Sequence, residues 1–280
     1  MTVPDLALHD GTTIPQLGFG VFQVPPPETA ATVTAALEAG YRHIDTAQMY
    51  GNEAGVGEAI KASGLARDDL YVTTKLNNGF HRPDDARREI DASLERLGLD
   101  QVDLFLIHWP LPTRYDGDFV QTWRALIEAQ EAGKTRSIGV SNFQPAHLDR
   151  IVEETGVVPV VNQVEVHPFF ANEDVRAANR RHGVLTEAWS PIAKGTVVDD
   201  DTIGEIASLV GRTPAQVALR WHVQRGDIVF PKSMNPERMR QNFEIFDFEL
   251  EPNHMSALDE LDQGEAGRMG PNPDAFDWIP

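Results

Sequence analysis

Two spacings of apolar residues take turns along this chain. Short continuous apolar runs predict buried strands. Longer stretches with an apolar residue at every third or fourth position predict amphipathic helices. Strands are expected at 17–22, 41–45, 70–75, 102–107, 135–140, 160–164, 184–188 and 227–230. Helices are expected between them at 28–39, 53–63, 84–97, 119–132, 145–154 and 172–182. A pair at 202–210 and 213–224 follows, then one at 236–243, and a helix at 252–261 precedes a Gly- and Pro-rich tail. Ahead of this alternation, residues 6–14 hold two short apolar pieces around Asp10-Gly11, and Asp-Gly between apolar residues signals a hairpin.

Strictly alternating strands and helices imply a parallel sheet with helical crossovers. Eight such units favour closure into a (β/α)8 TIM barrel over an open sheet. The hairpin is then expected to close the bottom of the barrel, and the C-terminal tail to lie near the active-site mouth. No linker or compositional break divides the chain, so residues 1–280 read as one domain.

Composition narrows the chemistry. There is no cysteine, which excludes disulfides, thiolate catalysis and cysteine-based zinc sites. The nine histidines lack metal-ligand spacing, so no metal is expected. A net charge of -19 repels phosphate backbones, and no nucleic-acid partner is expected. Residues 1–10 lack a basic segment followed by an apolar one, and no apolar run reaches the ~20 residues of a membrane span. The expectation is a cytoplasmic monomer without a membrane partner. Gly18-Phe19-Gly20 lacks a third glycine and Gly55-Val56-Gly57 falls inside a helix, so neither is a dinucleotide fingerprint.

In a parallel barrel the strand C-terminal ends share one face, where such enzymes keep their chemistry. Asp45, Tyr50, Lys75 and His108 all fall there. A phenol has an unperturbed pKa near 10, and an ammonium beside it favours the phenolate. Asp45 would hold Lys75 charged, and His108 could orient a substrate oxygen. Such a set protonates a carbonyl oxygen as charge develops on it, which suits hydride transfer from a bound cofactor. Taken alone, Asp45 with Lys75 reads more readily as a structural ion pair. Tyr50 and His108, each alone, read as packing residues. Their joint placement on three consecutive strand ends is what favours chemistry.

The motifs resemble those of the aldo-keto reductase family, most of all bacterial 2,5-diketo-D-gluconate reductases. They are Gly18-Phe19-Gly20-Val21-Phe22, the run from Asp45 to Glu53, Thr74-Lys75-Leu76, His108-Trp109-Pro110 and Ser137 to Phe143. Asn162 to Pro168 and Phe230-Pro231-Lys232-Ser233, with Arg238 and Asn242, complete the set. The resemblance implies NADPH (NADP+) as cofactor and a small-molecule carbonyl substrate. It implies Tyr50 as general acid, tuned by Lys75 and Asp45, with His108 orienting the carbonyl. Ser141, Asn142 and Gln163 would hold the nicotinamide carboxamide, and Trp189 would stack on the ring. Ser190, Pro191 and Ile192 would follow it along the cofactor, as would Met234. Lys232, Ser233 and Arg238 would take the 2′-phosphate, and Gln241 and Asn242 the adenine edge. Without the resemblance, Lys232 and Arg238 read as surface charge offsetting acid. Asn235-Pro236 stands where some relatives carry a further arginine.

Phe22, Tyr50 and Trp109 are expected as apolar walls of the substrate mouth, although core or tail packing suits any of these aromatics equally well. The short segments 111–118 and 193–201 imply an open site for small dicarbonyls such as methylglyoxal, aldehydes and sugar-derived ketones. Two rival readings stand beside a reductase. One is a cofactor-binding regulatory subunit on the same fold. The other is a barrel isomerase or lyase using the Lys75 amine, which leaves Ser141, Asn142, Gln163 and the basic cluster unexplained.

Overall fold

The computed structural model describes residues 2–280. A hairpin comes first, with β1 (Asp5–Ala7) antiparallel to β2 (Thr13–Pro15). The Asp10 carboxylate accepts the Thr12 N–H at 2.9 Å, which closes the turn. Eight parallel strands then follow: β3 (Phe19–Gly20), β4 (His43–Asp45), β5 (Tyr71–Leu76), β6 (Val102–Ile107), β7 (Thr135–Ser141), β8 (Val161–Glu165), β9 (Leu185–Trp189) and β10 (Ile228–Val229). Each pairs with its sequence neighbours. The ring closes where Leu17 bridges Val229, with the Gly18 N–H donating to the Val229 carbonyl at 2.9 Å.

The helices are α1 (Pro26–Glu38), α2 (Glu53–Ser63), α3 (Pro83–Leu97), α4 (Phe119–Glu131), α5 (Pro145–Thr155) and α6 (Glu173–His182). They continue with α7 (Asp201–Val210), α8 (Pro214–Gln224), α9 (Pro236–Phe243) and α10 (Pro252–Asp259). Four of them open with proline directly after a strand-to-helix loop, where the missing N–H has no intrahelical partner to lose. The expected boundaries shift most at the barrel seam. The strand expected at 17–22 shortens to β3, and that at 227–230 to β10. Isolated backbone bonds continue past both short strands, Gly18 N–H to Val229 and Val21 N–H to Asp45, while the Asp227 side chain accepts from His222 and Arg176 and the Gln16 amide donates to the Val223 and Asp227 carbonyls.

Strand residues alternate between two cores, as the period of two requires. Val72, Phe105, Ile107, Val140, Val164 and Ala188 face the helices. Tyr71, Leu104, Leu106, Val161 and Ile228 fill the lower barrel interior together with Leu8 and Ile14 of the hairpin. The hairpin thus closes the bottom. Farther up the barrel the same inward positions carry Asp45, Lys75, Gln163 and Glu187, all buried.

Gly55 and Gly57 pack helices together. A Cβ at Gly57 would lie 2.2 Å from the Leu97 carbonyl, and one at Gly55 would lie 2.8 Å from Thr29. Both positions sit inside α2, so close helix contact accounts for this glycine pair. After α10 the tail folds back over the mouth. The Met269 and Gly270 N–H groups donate to Glu165 at 2.7 and 2.9 Å, and Phe276 packs on Trp109 with ring centres 4.2 Å apart. Among the described residues, no helix is long and apolar enough to cross a membrane, and no cluster of metal-ligating side chains occurs.

Candidate active site

Lys75 is the centre of the strand-end cluster. It leaves β5 fully buried, and its Nζ donates to both Asp45 oxygens at 2.7 and 2.8 Å and to the Thr46 carbonyl at 2.9 Å. The Tyr50 hydroxyl lies 3.5 Å from the same nitrogen. His108 follows β6, and its ring meets the Tyr50 ring edge-on at 5.7 Å. The structure therefore brings all four residues together.

Their protonation follows from burial and charge. Burial raises the Tyr50 pKa, and the Lys75 ammonium works against this without reversing it. The Lys75 ammonium taken alone lowers the phenol pKa, as expected. Desolvation of the phenolate outweighs it, so Tyr50 keeps its proton near neutral pH. For Lys75, burial disfavours the ammonium, but Asp45 and Tyr50 more than compensate and its pKa is raised. Burial, aided by Lys75, holds the His108 imidazolium well below its ordinary range. His108 is a neutral imidazole, able to donate one N–H.

The turn that presents Tyr50 is tightly held. It is a single 3-10 turn, Gln48–Tyr50, ended by Gly51 at φ 68, where a side chain would be strained. The Gln48 amide donates to the Glu89 carbonyl and the Ser93 hydroxyl, and its oxygen accepts the Asn77 N–H at 2.7 Å. Asn52 donates to the Val21 and Val24 carbonyls and accepts from Thr46. Buried Glu53 accepts from Thr74, Ser93 and Arg96. Gln48, Asn52 and Glu53 lie within the Asp45-to-Glu53 run, and their bracing role emerges only from these contacts. Polar residues spaced closely after an inward-facing Asp were the available signal.

A second group lines the next strand ends. The Ser141 hydroxyl donates to the Gln163 carbonyl at 2.8 Å. Asn142, in the left-handed region at φ 64, donates to the His108 carbonyl at 2.9 Å and accepts the Trp189 indole N–H at 2.9 Å. Asn142 thus ties the indole to the strand that carries His108. The Gln163 amide donates to Asp45 and to Glu187, at 3.0 and 2.9 Å, and its Oε1 makes no hydrogen bond among the described residues. Ser190, also at positive φ, turns the chain out of β9, and the Pro191 carbonyl faces His222 at 3.2 Å. Ile192 is half-buried beside the core.

The basic cluster follows β10 at the same end of the barrel. Lys232 and Arg238 are exposed, and their side chains have no hydrogen-bond or ion-pair partner among the described residues. The Asn235 carboxamide caps α9 by accepting from the Glu237 and Arg238 N–H groups. Ser233 is buried and accepts the Asn235 N–H at 3.1 Å. Met234 is exposed, Gln241 is half-buried and reaches Glu237, and Asn242 is buried on the inner side of α9.

At the mouth, Phe22 stands 56% exposed, with its ring 5.1 Å from that of Tyr50. Trp109 is only 8% exposed because Phe276 covers it. Arg114 pairs with Asp277 at 3.0 Å, and the Asn78 amide holds the Trp278 carbonyl. The tail therefore forms one wall. A cleft of about 670 Å³ opens at the opposite end, beneath the hairpin, lined by Arg42, Asp68, Tyr71 and Arg136 among others. It is remote from the four residues.

Residues 16–263 match the Aldo/keto reductase family. The chain is 48% identical over 275 residues to an aldo-keto reductase of Mycolicibacterium smegmatis, covering 98% of each. It is 45% identical over 274 residues to the methylglyoxal reductase DkgA of Escherichia coli, covering 97% of each. The crystal structure of a Gox0644 variant in complex with NADPH superposes with a TM-score of 0.95 at 44% identity, over 99% of this chain and 100% of that one.

Proposed function

From the premise that this chain belongs to the aldo/keto reductase family, we propose that it reduces aldehydes and ketones to alcohols with NADPH, Tyr50 being the general acid. The observation that carries this is the buried Lys75 ammonium, fixed by Asp45 and set 3.5 Å from a protonated Tyr50 hydroxyl at the open end of the barrel.

NADPH, when bound, supplies the hydride that the carbonyl carbon takes up. Everything else falls to side chains. His108 donates its one N–H to the carbonyl oxygen, which sets the carbonyl beside Tyr50. The Tyr50 hydroxyl then gives its proton to that oxygen as negative charge grows there. The phenolate left behind is stabilised by Lys75, and solvent restores its proton. Asp45 keeps Lys75 charged and in place.

The residues present suit the cofactor. Gln163 Oε1 is an unused acceptor for a carboxamide N–H₂. Trp189, held edge-on by Asn142, offers a flat aromatic face to a nicotinamide ring. Lys232 and Arg238 are cations without a partner among the described residues, in a chain of net charge -19, and Ser233 adds a hydroxyl, which together suit a ribose phosphate. Arg238→Glu is expected to raise the KM for NADPH about tenfold or more and that for NADH less than about twofold. Equal effects on both cofactors would remove the phosphate assignment.

The substrate class we propose is small α-dicarbonyls such as methylglyoxal, with diketo sugar acids such as 2,5-diketo-D-gluconate as larger members. Its support is the relatedness to methylglyoxal reductases and a mouth walled by exposed Phe22 and the tail on Trp109. The test is a carbonyl panel run with both cofactors: methylglyoxal, phenylglyoxal, a diketo sugar acid and simple aldehydes. Turnover of dicarbonyls with NADPH is expected. Tight NADPH binding with no turnover on any member would replace the enzyme reading with a regulatory, cofactor-binding one.

A further inference from the structure

Beneath Tyr50 the barrel interior holds two carboxyls and one cation. Lys75 gives its hydrogens to Asp45, at 2.7 and 2.8 Å, and to the Thr46 carbonyl at 2.9 Å. None goes to Glu187. That residue points inward from the middle of β9 and is fully buried. Its Oε2 accepts from Gln163 at 2.9 Å, and its Oε1 has no partner among the described residues. The same Gln163 nitrogen donates to Asp45 at 3.0 Å, so one amide is shared by both carboxyls.

We propose that Glu187 is a positioning residue of the reductase site: it stays an uncharged carboxylic acid, leaves Asp45 as the one anion on Lys75, and fixes Gln163 with its amide oxygen free for the cofactor. The proposal rests on the reductase reading above and extends it to a residue with no role in that reading. A fully buried carboxylate with no cation in contact is far costlier than its neutral form. The charged and titratable groups facing Glu187 are Asp45 from β4 and Tyr71 and Lys75 from β5. From β8 it meets Gln163, and its register partner on β10 is the apolar Ile228. Burial first, and the Asp45 charge second, push its pKa up to about 8, against the Gln163 hydrogen bond and Lys75.

The orientation of Gln163 follows from the same contacts. The Asp45 carboxylate can only accept, so a flipped amide would set its oxygen against that anion, while the carbonyl oxygen of the uncharged Glu187 takes the second hydrogen of the nitrogen. Ionising Glu187 would place a second negative charge near Lys75. That charge favours the ammonium and opposes the phenolate that Tyr50 becomes on giving up its proton. The uncharged form therefore suits proton delivery.

The test compares wild type with Glu187→Gln, which keeps size and loses the titratable proton. Urea denaturation is followed from about pH 5 to about pH 8. Above the ordinary Glu value of 4.5 the unfolded chain releases this proton, whereas the folded protein keeps it until about pH 8. Wild type should thus lose folding stability relative to the variant by about tenfold in equilibrium constant per pH unit across this window. A flat difference overturns the proposal, because Glu187 would then be ionised in the fold. In a second arm, kcat for reduction is measured against pH. Wild type should show a step down of roughly threefold near pH 8 that the variant lacks. The same step in both overturns the proposal. If Glu187→Gln does not fold, infrared spectroscopy of the wild-type protein near neutral pH should show the carbonyl band of a protonated acid, and its absence overturns the proposal. The denaturation and infrared arms need no turnover, so failure of the reductase reading is seen separately.

Discussion

Tyr50→Phe is expected to lower kcat for dicarbonyl reduction by roughly 10²–10⁴-fold, the range that a positioned general acid supplies. NADPH affinity should change less than about twofold, because the ring and its packing against Phe22 and His108 remain. The loss should appear in kcat and kcat/KM alike, as befits an interaction made in the transition state. The measurement is steady-state kinetics on methylglyoxal beside cofactor titration by fluorescence. A variant with full activity would move the acid elsewhere. His108 does not readily take over: it is held neutral by burial, and an imidazole N–H is a far weaker acid than a phenol beside an ammonium.

The second large effect is on stability as well as rate. Lys75→Met should abolish most activity and cost about 3–5 kcal/mol in unfolding free energy, since it leaves the Asp45 carboxylate buried without its partner. Lys75 is fully buried and Asp45 nearly so, and solvent cannot screen what remains. Adding Asp45→Asn to Lys75→Met should recover part of that stability without restoring turnover. Urea midpoints of the two single variants, the double variant and wild type close the cycle. A cost below about 1 kcal/mol for Lys75→Met would mean that water or another group compensates Asp45, and the pair would lose its central place.

Much of the site was legible because it lies at strand ends. Once the alternation of strands and helices was read, Asp45, Lys75 and His108 had to share one end of a parallel sheet, and Tyr50 followed within one turn. The strand boundaries at 102–107 and the helices at 53–63 and 236–243 coincide with the observed elements, because local periodicity and capping residues define them. The seam was read less well. β3 and β10 are only two residues long, with single backbone bonds on the flanks of β3 and with Asp227, just before β10, held by side chains of α6 and α8. An apolar run says that a segment is buried, not which partner takes its hydrogen bonds.

Other features were invisible for the same reason. Glu187 lies beside Thr186 in the expected strand 184–188, and local pattern offers only its parity with Leu185 and Trp189 as a sign that it points inward. That its neighbour Gln163 also holds Asp45, 118 residues away in sequence, depends on how the strands are staggered around the ring. So do the Asn142–Trp189 contact and the seating of Phe276 on Trp109. Spacing and residue type in the sequence were enough for the alternating architecture, for the end of the barrel where the candidate residues lie and for the four that meet there. Spacing and residue type are local properties. The tertiary structure alone decided how charge is shared inside the barrel, which protons are held and what covers the mouth. Those depend on register, closure and desolvation, which no single stretch of chain contains.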